Sequence, residues 1–208
     1  TEHFPKRKIY KEGDPIKIIH HCTPWRGLNV LLLAMQLIKS KNVTLDVYSS
    51  CKIYGSEFEE KCGEDFEGLY NQAKSLDNVN YIGYKPNEYI LDHITDYDLF
   101  VYPSIFEETF CASALEALAS GLHVITTNFG ALPETCAEWP IYVNYTTNHN
   151  MLADATAQAI DVAAGYLHKD IIQNHLEEQQ KFYKRFYNWN KKGLEWKNFL
   201  TGALNVKR

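Results

Sequence analysis

Two short apolar runs constrain this chain most. Residues 99–102 and 123–126 have the length and the β-branched or aromatic content of strands buried on both faces, and between them residues 112–120 form a helix-length stretch of small and aliphatic side chains. A strand without a polar side must be covered twice, and a helix between two such strands returns the chain for parallel pairing. The alternation recurs upstream. Strands are predicted at 16–21, 43–49 and 79–82, helices at 27–40, 57–75 and 87–95, and a weak last strand at 141–143. From residue 150 the pattern is helical in two or three pieces, broken near Gly165 and around 188–192. The expected fold is α/β: a doubly wound parallel sheet, Rossmann-like, as a single domain over 16–208 with C-terminal helices. Residues 1–15 read as a linker or edge segment. Ligands of such sheets bind beyond the carboxyl ends of the strands, which points to the loops after Ile19, Tyr48, Ile82, Tyr102 and Thr126.

One of those loops carries Glu108, and Glu116 follows eight residues later, the two separated by an apolar, small-residue run. At about 1.5 Å per helical residue, eight steps span on the order of 12 Å. That is too far for two carboxylates to share a proton, and suits gripping two ends of an extended ligand. Glu108 is expected in the loop and Glu116 about two turns into the next helix. Between them falls a helix N-terminus, whose free N–H groups and positive dipole end suit a phosphate. Hydroxyls at both ends and a diphosphate in the middle describe a nucleotide-sugar. The plainer alternative is two glutamates on a solvated helix face.

The ordered context of this pair resembles the retaining glycosyltransferases of family 4, the group 1 enzymes. Their signature is strand, Pro-Ser, loop, Glu-x7-Glu, then Ala-x-Gly-x-x-Val-Ile-x-Thr and a Gly-rich turn with a Glu. Here it reads Pro103-Ser104, Glu108, Glu116, then Ala119, Gly121, Val124, Ile125 and Thr127, then Gly130 and Glu134. A second element, Pro24-Trp25-Arg26-Gly27-Leu28, resembles the family's Pro-x-Arg/Lys-Gly-Leu. The resemblance implies that Arg26 neutralises the donor diphosphate, a task for which a guanidinium offers paired donors. A solvated Arg at a helix start is the bland alternative. Glu108 would bond hydroxyls of the transferred sugar, Glu116 those of the ribose, and the backbone of Thr109, Phe110, Cys111 and Ala112 would approach a phosphate. Relatives have Gly-Phe-Gly there, so two glycines' worth of φ > 0 freedom is lost. Where relatives carry an additional Arg, this chain has His21, or His20 after a one-residue slip; it either serves a phosphate when protonated or caps a strand end. Tyr84, in the turn after Gly83, stacks on the base or lies on the surface. The tail 186–200, with Trp189 and Trp196, resembles the family's closing helix; it packs on its own protein or, with its lysines, lies at a membrane surface.

The family's enzymes are about twice as long and set two Rossmann-like domains face to face. The resemblance therefore implies a C-terminal, donor-binding half, with a nucleotide-sugar donor, an N-terminal acceptor domain of the same protein, and a glycan, lipid or protein acceptor. Composition adds exclusions. A net charge of −5 over 208 residues, with a pI near 5.9, offers no basic field for nucleic acid. No apolar run approaches a membrane span, and the polar first residues do not read as a leader peptide. Five cysteines without a Cys-x-x-Cys pair fit a reducing compartment, hence a cytoplasmic or membrane-peripheral location. Asp96-Tyr97-Asp98 matches a metal-binding Asp-x-Asp but precedes a strand instead of following one, so no metal and no cofactor are expected. A nicotinamide oxidoreductase needs Gly-x-Gly-x-x-Gly after the first strand, where only Gly27 is available. Two alternatives stay open: a non-catalytic nucleotide-binding module, and a sugar-nucleotide epimerase of the same architecture, which the intact acidic pair disfavours.

Overall fold

Side chains along a strand point alternately to its two faces, and here both faces are apolar. Ile18, Leu45, Leu99, Val101 and Ile125 pack into one core, while Ile19, Phe100, Tyr102 and Val124 pack into a second one behind the sheet. The computed structural model describes residues 7–205. Among these, six strands form one wholly parallel sheet: β1 (Ile16–His20), β2 (Val43–Val47), β3 (Val79–Tyr81), β4 (Leu99–Tyr102), β5 (His123–Thr127) and β6 (Ile141–Val143), in the order β3-β2-β1-β4-β5-β6. Ile18 of β1 stands opposite Leu45 on one side and Leu99 on the other. The winding reverses there, which makes the crevice between β1 and β4 the switch point.

The helices that cover the sheet are α1 (Leu28–Leu37), α2 (Ser56–Cys62), α3 (Glu67–Ser75), α4 (Asn87–His93), α5 (Ala112–Ser120), α6 (Leu132–Cys136), α7 (His149–Tyr166), α8 (Asp170–Phe186) and α9 (Trp189–Asn205). On one face α7 lays Leu152, Ala153, Ala157 and Ile160 into the core that holds α1. On the other, α5 is built of good helix formers and stops at Gly121, which takes φ 82° so that Gly121 and Leu122 N–H close back on Leu118 and Ala117. Its C-terminal carbonyls gain a further partner. The amide of Gln179, wholly buried on α8, donates to Leu118 O at 3.0 Å and to Leu122 O at 2.9 Å.

Three features differ from the sequence-based expectation. Residues 57–75 are not one helix: the chain breaks at Gly63 and turns through a short 3-10 segment, Glu64–Phe66, before α3. That bend brings both Phe58 and Phe66 to within 6 Å of Trp25, ring centroid to ring centroid. The short α6 was not foreseen, since five residues carry too little periodicity to recognise. And α9 does not cover its apolar residues on this chain; Trp189 is 84% and Leu204 85% exposed. Of the stretch 1–15, residues 1–6 lie outside the described ones. From there Arg7 donates to Gln173 Oε1 at 2.8 Å and Tyr10 is buried in the core. Among the described residues no helix is long and apolar enough to cross a membrane.

Two histidines bury without a full set of partners. His20 Nδ1 faces Val101 O at 3.1 Å and His123 Nε2 faces the Tyr166 hydroxyl at 2.9 Å, while the other nitrogen of each ring has no partner among the described residues. Burial, helped by His21 and His175 respectively, pushes both down to about 4 from the ordinary 6.5. A depressed folded-state value means that the unfolded chain binds more protons between pH 6.5 and 4. The two rings therefore leave stability unaffected above pH 6.5 and lower it progressively on acidification. Urea unfolding followed from pH 7 to 5 should show stability falling with a slope of up to about 1.4 kcal/mol per pH unit for each histidine. A flat profile would contradict this assignment.

Candidate functional site

Two loops meet at the switch point, and their contact is close enough to dictate sequence. After β1 the chain runs through His21 and Cys22 into a 3-10 turn, Pro24–Arg26, and reaches α1 through Gly27 at φ 116°. A Cβ on Gly27 would fall 2.3 Å from the carbonyl oxygen of Pro103, just past β4. Only glycine allows this left-handed backbone to press against that carbonyl. The loop after β4 is fastened in its turn. Thr126 and Thr127 hydroxyls donate to Tyr102 O and Ser104 O, and Ser104 Oγ accepts from Phe106 N–H. Gly130, at φ 59°, lies against the Glu108 backbone, and Ala131 N–H donates to Glu108 O at 2.7 Å.

The result is two polar couples, one built on Glu108 just before α5 and one on Glu116 just inside it. In the first, Arg26 Nη1 donates to both carboxylate oxygens of Glu108, at 2.7 and 3.0 Å. The buried Tyr102 hydroxyl adds a third bond to Glu108 Oε1 at 2.5 Å. Burial is the largest single influence and works against the Arg26 charge, but Glu108, Tyr102 and Tyr54 together outweigh it and Arg26 is held above the usual arginine range. Tyr102 is raised by the same burial and keeps its proton. Arg26 also points Nη2 at the Tyr54 hydroxyl, 3.3 Å away, and rests its guanidinium on the Phe106 ring at 4.5 Å. In the second couple, His21 Nε2 lies 3.5 Å from Glu116 Oε2, and Glu116 Oε1 accepts from Asn87 Nδ2 at 3.1 Å. His21 is buried against Phe100, with neither ring nitrogen in a hydrogen bond among the described residues. Its backbone carbonyl accepts from Ser113 Oγ at 3.2 Å, tying this loop to the first turn of α5. No side chain caps α5, which leaves its leading amides to a ligand.

Other expected residues distribute around these couples. Tyr84 lines a cavity of about 270 Å³ with His21, Tyr48, Ile53, Asn87 and Ser113. Phe110 and Ala112 lie instead along a larger apolar groove of about 500 Å³ that Glu116 also lines, with Leu115, Tyr187 and Trp189. Thr109 is exposed and Cys111 buried at the helix start. Burial pushes the Cys111 thiol up to about 12, so it stays protonated and is no nucleophile. Glu116 sits one turn into α5, not two, because the helix begins only at Ala112. The sequence reading set Arg26 and Glu108 at separate parts of a ligand and did not anticipate their ion pair. It also passed over Tyr102 and Tyr54. Tyr102 carried a signal, a lone hydroxyl at the carboxyl end of an otherwise apolar strand; Tyr54 carried none.

The Asp-x-Asp pair lies at the opposite end of the sheet. Asp96 is exposed, whereas buried Asp98 accepts from Lys17 N–H at 2.9 Å and pairs with Lys8 at 3.2 Å. Among the described residues no three His, Cys, Asp or Glu side chains gather as a metal site would require.

Comparison with known proteins gives a coherent answer. A family model described as glycosyl transferases group 1 matches residues 1–185. No curated protein sequence matches the chain. Among solved structures, a glycosyltransferase from Rickettsia africae superposes with a TM-score of 0.70 at 22% identity, covering 94% of this chain and 49% of that one. Sucrose-phosphate synthase from Thermosynechococcus elongatus gives 0.73 at 22% identity, covering 94% and 47%. Anabaena HepE in complex with UDP and glucose gives 0.69 at 14% identity, covering 91% and 48%. At these identities the likeness is one of fold, and the chain spans about half the length of each.

The loop contact makes a prediction that separates crowding from backbone strain. Gly27→Ala must both hold φ 116° and displace Pro103 O, whereas Gly13→Ala at φ 87° has nothing within 4 Å of the new Cβ. Chemical denaturation should find Gly13→Ala costing about 1 kcal/mol and Gly27→Ala at least about 3 kcal/mol. Equal costs would mean that the two loops do not need to touch.

Proposed function

The chain belongs to the group 1 glycosyltransferases, and from that premise we propose that it supplies the donor site of a retaining family 4 hexosyltransferase of two-domain GT-B architecture. The observation that carries the reading is the pair of couples, Arg26 with Glu108 and His21 with Glu116, flanking an uncapped helix N-terminus at the sheet's switch point. A nucleoside-diphosphate sugar laid across that line has its base in the cavity beside Tyr84, its ribose hydroxyls on Glu116 and its diphosphate over the first turn of α5. The backbone of Thr109, Phe110, Cys111 and Ala112 follows the diphosphate. His21 serves the phosphate next to the ribose when protonated, and Arg26 the distal one. The sugar then reaches Glu108.

The ion pair refines the role of Glu108. Its Oε1 already accepts from Arg26 and Tyr102, and its Oε2 from Arg26 alone. A carboxylate oxygen accepts two bonds, so Oε2 keeps one site for a sugar hydroxyl. Glu108 thus orients the cation and holds the sugar with the same carboxylate. As the bond between the anomeric carbon and the phosphate oxygen breaks, its electron pair goes to the diphosphate. The growing charge meets the Arg26 guanidinium and the helix amides, which are in position beforehand. With retention, the acceptor hydroxyl attacks from the side the diphosphate leaves, and the departing phosphate oxygen takes its proton. No divalent ion is required in this scheme, because fixed positive groups meet the diphosphate. The acceptor, a glycan, lipid or protein, is held by an N-terminal domain of the same protein. The setting is cytoplasmic or membrane-peripheral, and the isolated half is expected to bind donor without turning it over.

Calorimetric titration with UDP, GDP, ADP and their glucose conjugates tests the reading. One nucleotide series should bind, and absence of binding to all of them at millimolar concentration overturns it. Glu116→Ala should weaken bare nucleotide and nucleotide-sugar alike, by about tenfold for a lost hydrogen bond to a charged group. Glu108→Gln, which keeps an acceptor for Tyr102, should weaken the nucleotide-sugar more than the bare diphosphate; identical losses contradict the roles given to the two glutamates.

A further inference from the structure

Between β2 and α3 the chain makes an excursion that the sequence pattern did not explain. Its first part is a 3-10 turn, Cys51–Tyr54, held at its start by Ser50 Oγ accepting from Lys52 N–H at 3.0 Å. Two neighbouring side chains of this turn go to different places. Ile53 lines the cavity shared with His21 and Tyr84. Tyr54 turns to Trp25, stacking at 5.9 Å between centroids with 22° between planes, and meets Phe58 at 5.4 Å. That stack brings its hydroxyl to 3.3 Å from Arg26 Nη2.

The protons of this contact can be assigned. A guanidinium has only donors, so the Tyr54 oxygen accepts from Nη2 and its own hydrogen is not consumed there. No acceptor for that hydrogen occurs among the described residues, and Tyr54 is 55% exposed. Accepting from a cation also polarises the O–H bond and makes the hydroxyl a better donor. Arg26 itself is committed elsewhere: Nη1 to Glu108, and Nε buried without a partner. An anion approaching the open edge of the guanidinium therefore meets Nη2 and the Tyr54 hydroxyl side by side.

We propose that Tyr54 is a phosphate-binding residue, its hydroxyl and Arg26 Nη2 forming a two-donor seat for the phosphate distal to the nucleoside. The inference rests on the reading of Arg26 as the diphosphate cation. It adds a ligand from a part of the chain where the family resemblance supplies none. The turn that carries Tyr54 also carries Ile53 in the cavity wall, so one short element sets the spacing between the nucleoside and its outer phosphate. The seat gives the protein a means of preferring diphosphates to monophosphates.

Tyr54→Phe is the informative change, because it keeps the ring and its stack on Trp25 and removes only the oxygen. The variant and the unsubstituted protein are titrated with UDP, GDP and ADP and with the matching monophosphates UMP, GMP and AMP, and their thermal unfolding is compared. The expected result is a diphosphate Kd raised about tenfold, with monophosphate affinity and unfolding temperature unchanged. Undiminished diphosphate binding overturns the inference and leaves the donor-site reading intact. Equal weakening of both series also overturns it, since Tyr54 then acts through packing alone. If the unsubstituted protein binds none of the six nucleotides, the donor-site reading fails and the Tyr54 seat fails with it.

Discussion

A buried carboxylate held by an arginine and a tyrosine is the constraint around which the site is arranged. Glu108 is almost fully buried, and a buried carboxylate without partners is costly enough that the fold must supply them. Arg26 comes from the loop after β1 and Tyr102 from the end of β4, so the pair can form only when those two strands are neighbours. Gly27 removes the side chain that would hold the loops apart, and the turn at Gly130 closes on the Glu108 backbone from the β5 side. Three consecutive segments of the sheet's carboxyl edge thus converge on one anion. The anion in turn fixes the guanidinium, with Nη1 on Glu108 and Nη2 turned to the Tyr54 hydroxyl.

The same arrangement explains why the second couple is looser. His21 and Glu116 stand 3.5 Å apart, and Glu116 is shared with Asn87. Neither His21 nitrogen makes a hydrogen bond among the described residues. An arginine at this position would reach Glu116 with several donors. A histidine reaches with one, and only its protonated form adds a charge. The chain has therefore kept one end of its site firmly paired and left the other adjustable, with the uncapped first turn of α5 between them.

Much of this was legible beforehand, for identifiable reasons. The strands announced themselves because a sheet covered on both sides needs unbroken apolar runs, and β4, β5 and α5 were therefore clear. Glu108 and Glu116 stood out through the ordered context of Pro103-Ser104 and Gly121, and Arg26 through its place between Pro24 and Gly27-Leu28. What escaped notice depended on contacts between distant segments. The bond from Tyr102 to Glu108 closes within one loop, yet it needs the fold to bury both. The stack of Tyr54 on Trp25 joins residues 29 positions apart in an excursion without periodicity. The break at Gly63 is set by Phe58 and Phe66 both seeking Trp25, a preference that local helical propensity does not register.

Gln179 gives the C-terminal half of the chain a bearing on all this. Its amide joins α8 to the last carbonyls of α5, and Gln180 repeats the tie at Ser120 O. Since α5 is short and carries Glu116 one turn from its start, the tilt fixed at that joint sets where the carboxylate lies. Substitutions in α8 can therefore alter the tilt of α5 and with it the aim of Glu116, without touching the loops that carry Arg26 and Glu108. The outer helices are a place where related proteins can shift the geometry of the crevice while every residue that lines it stays the same.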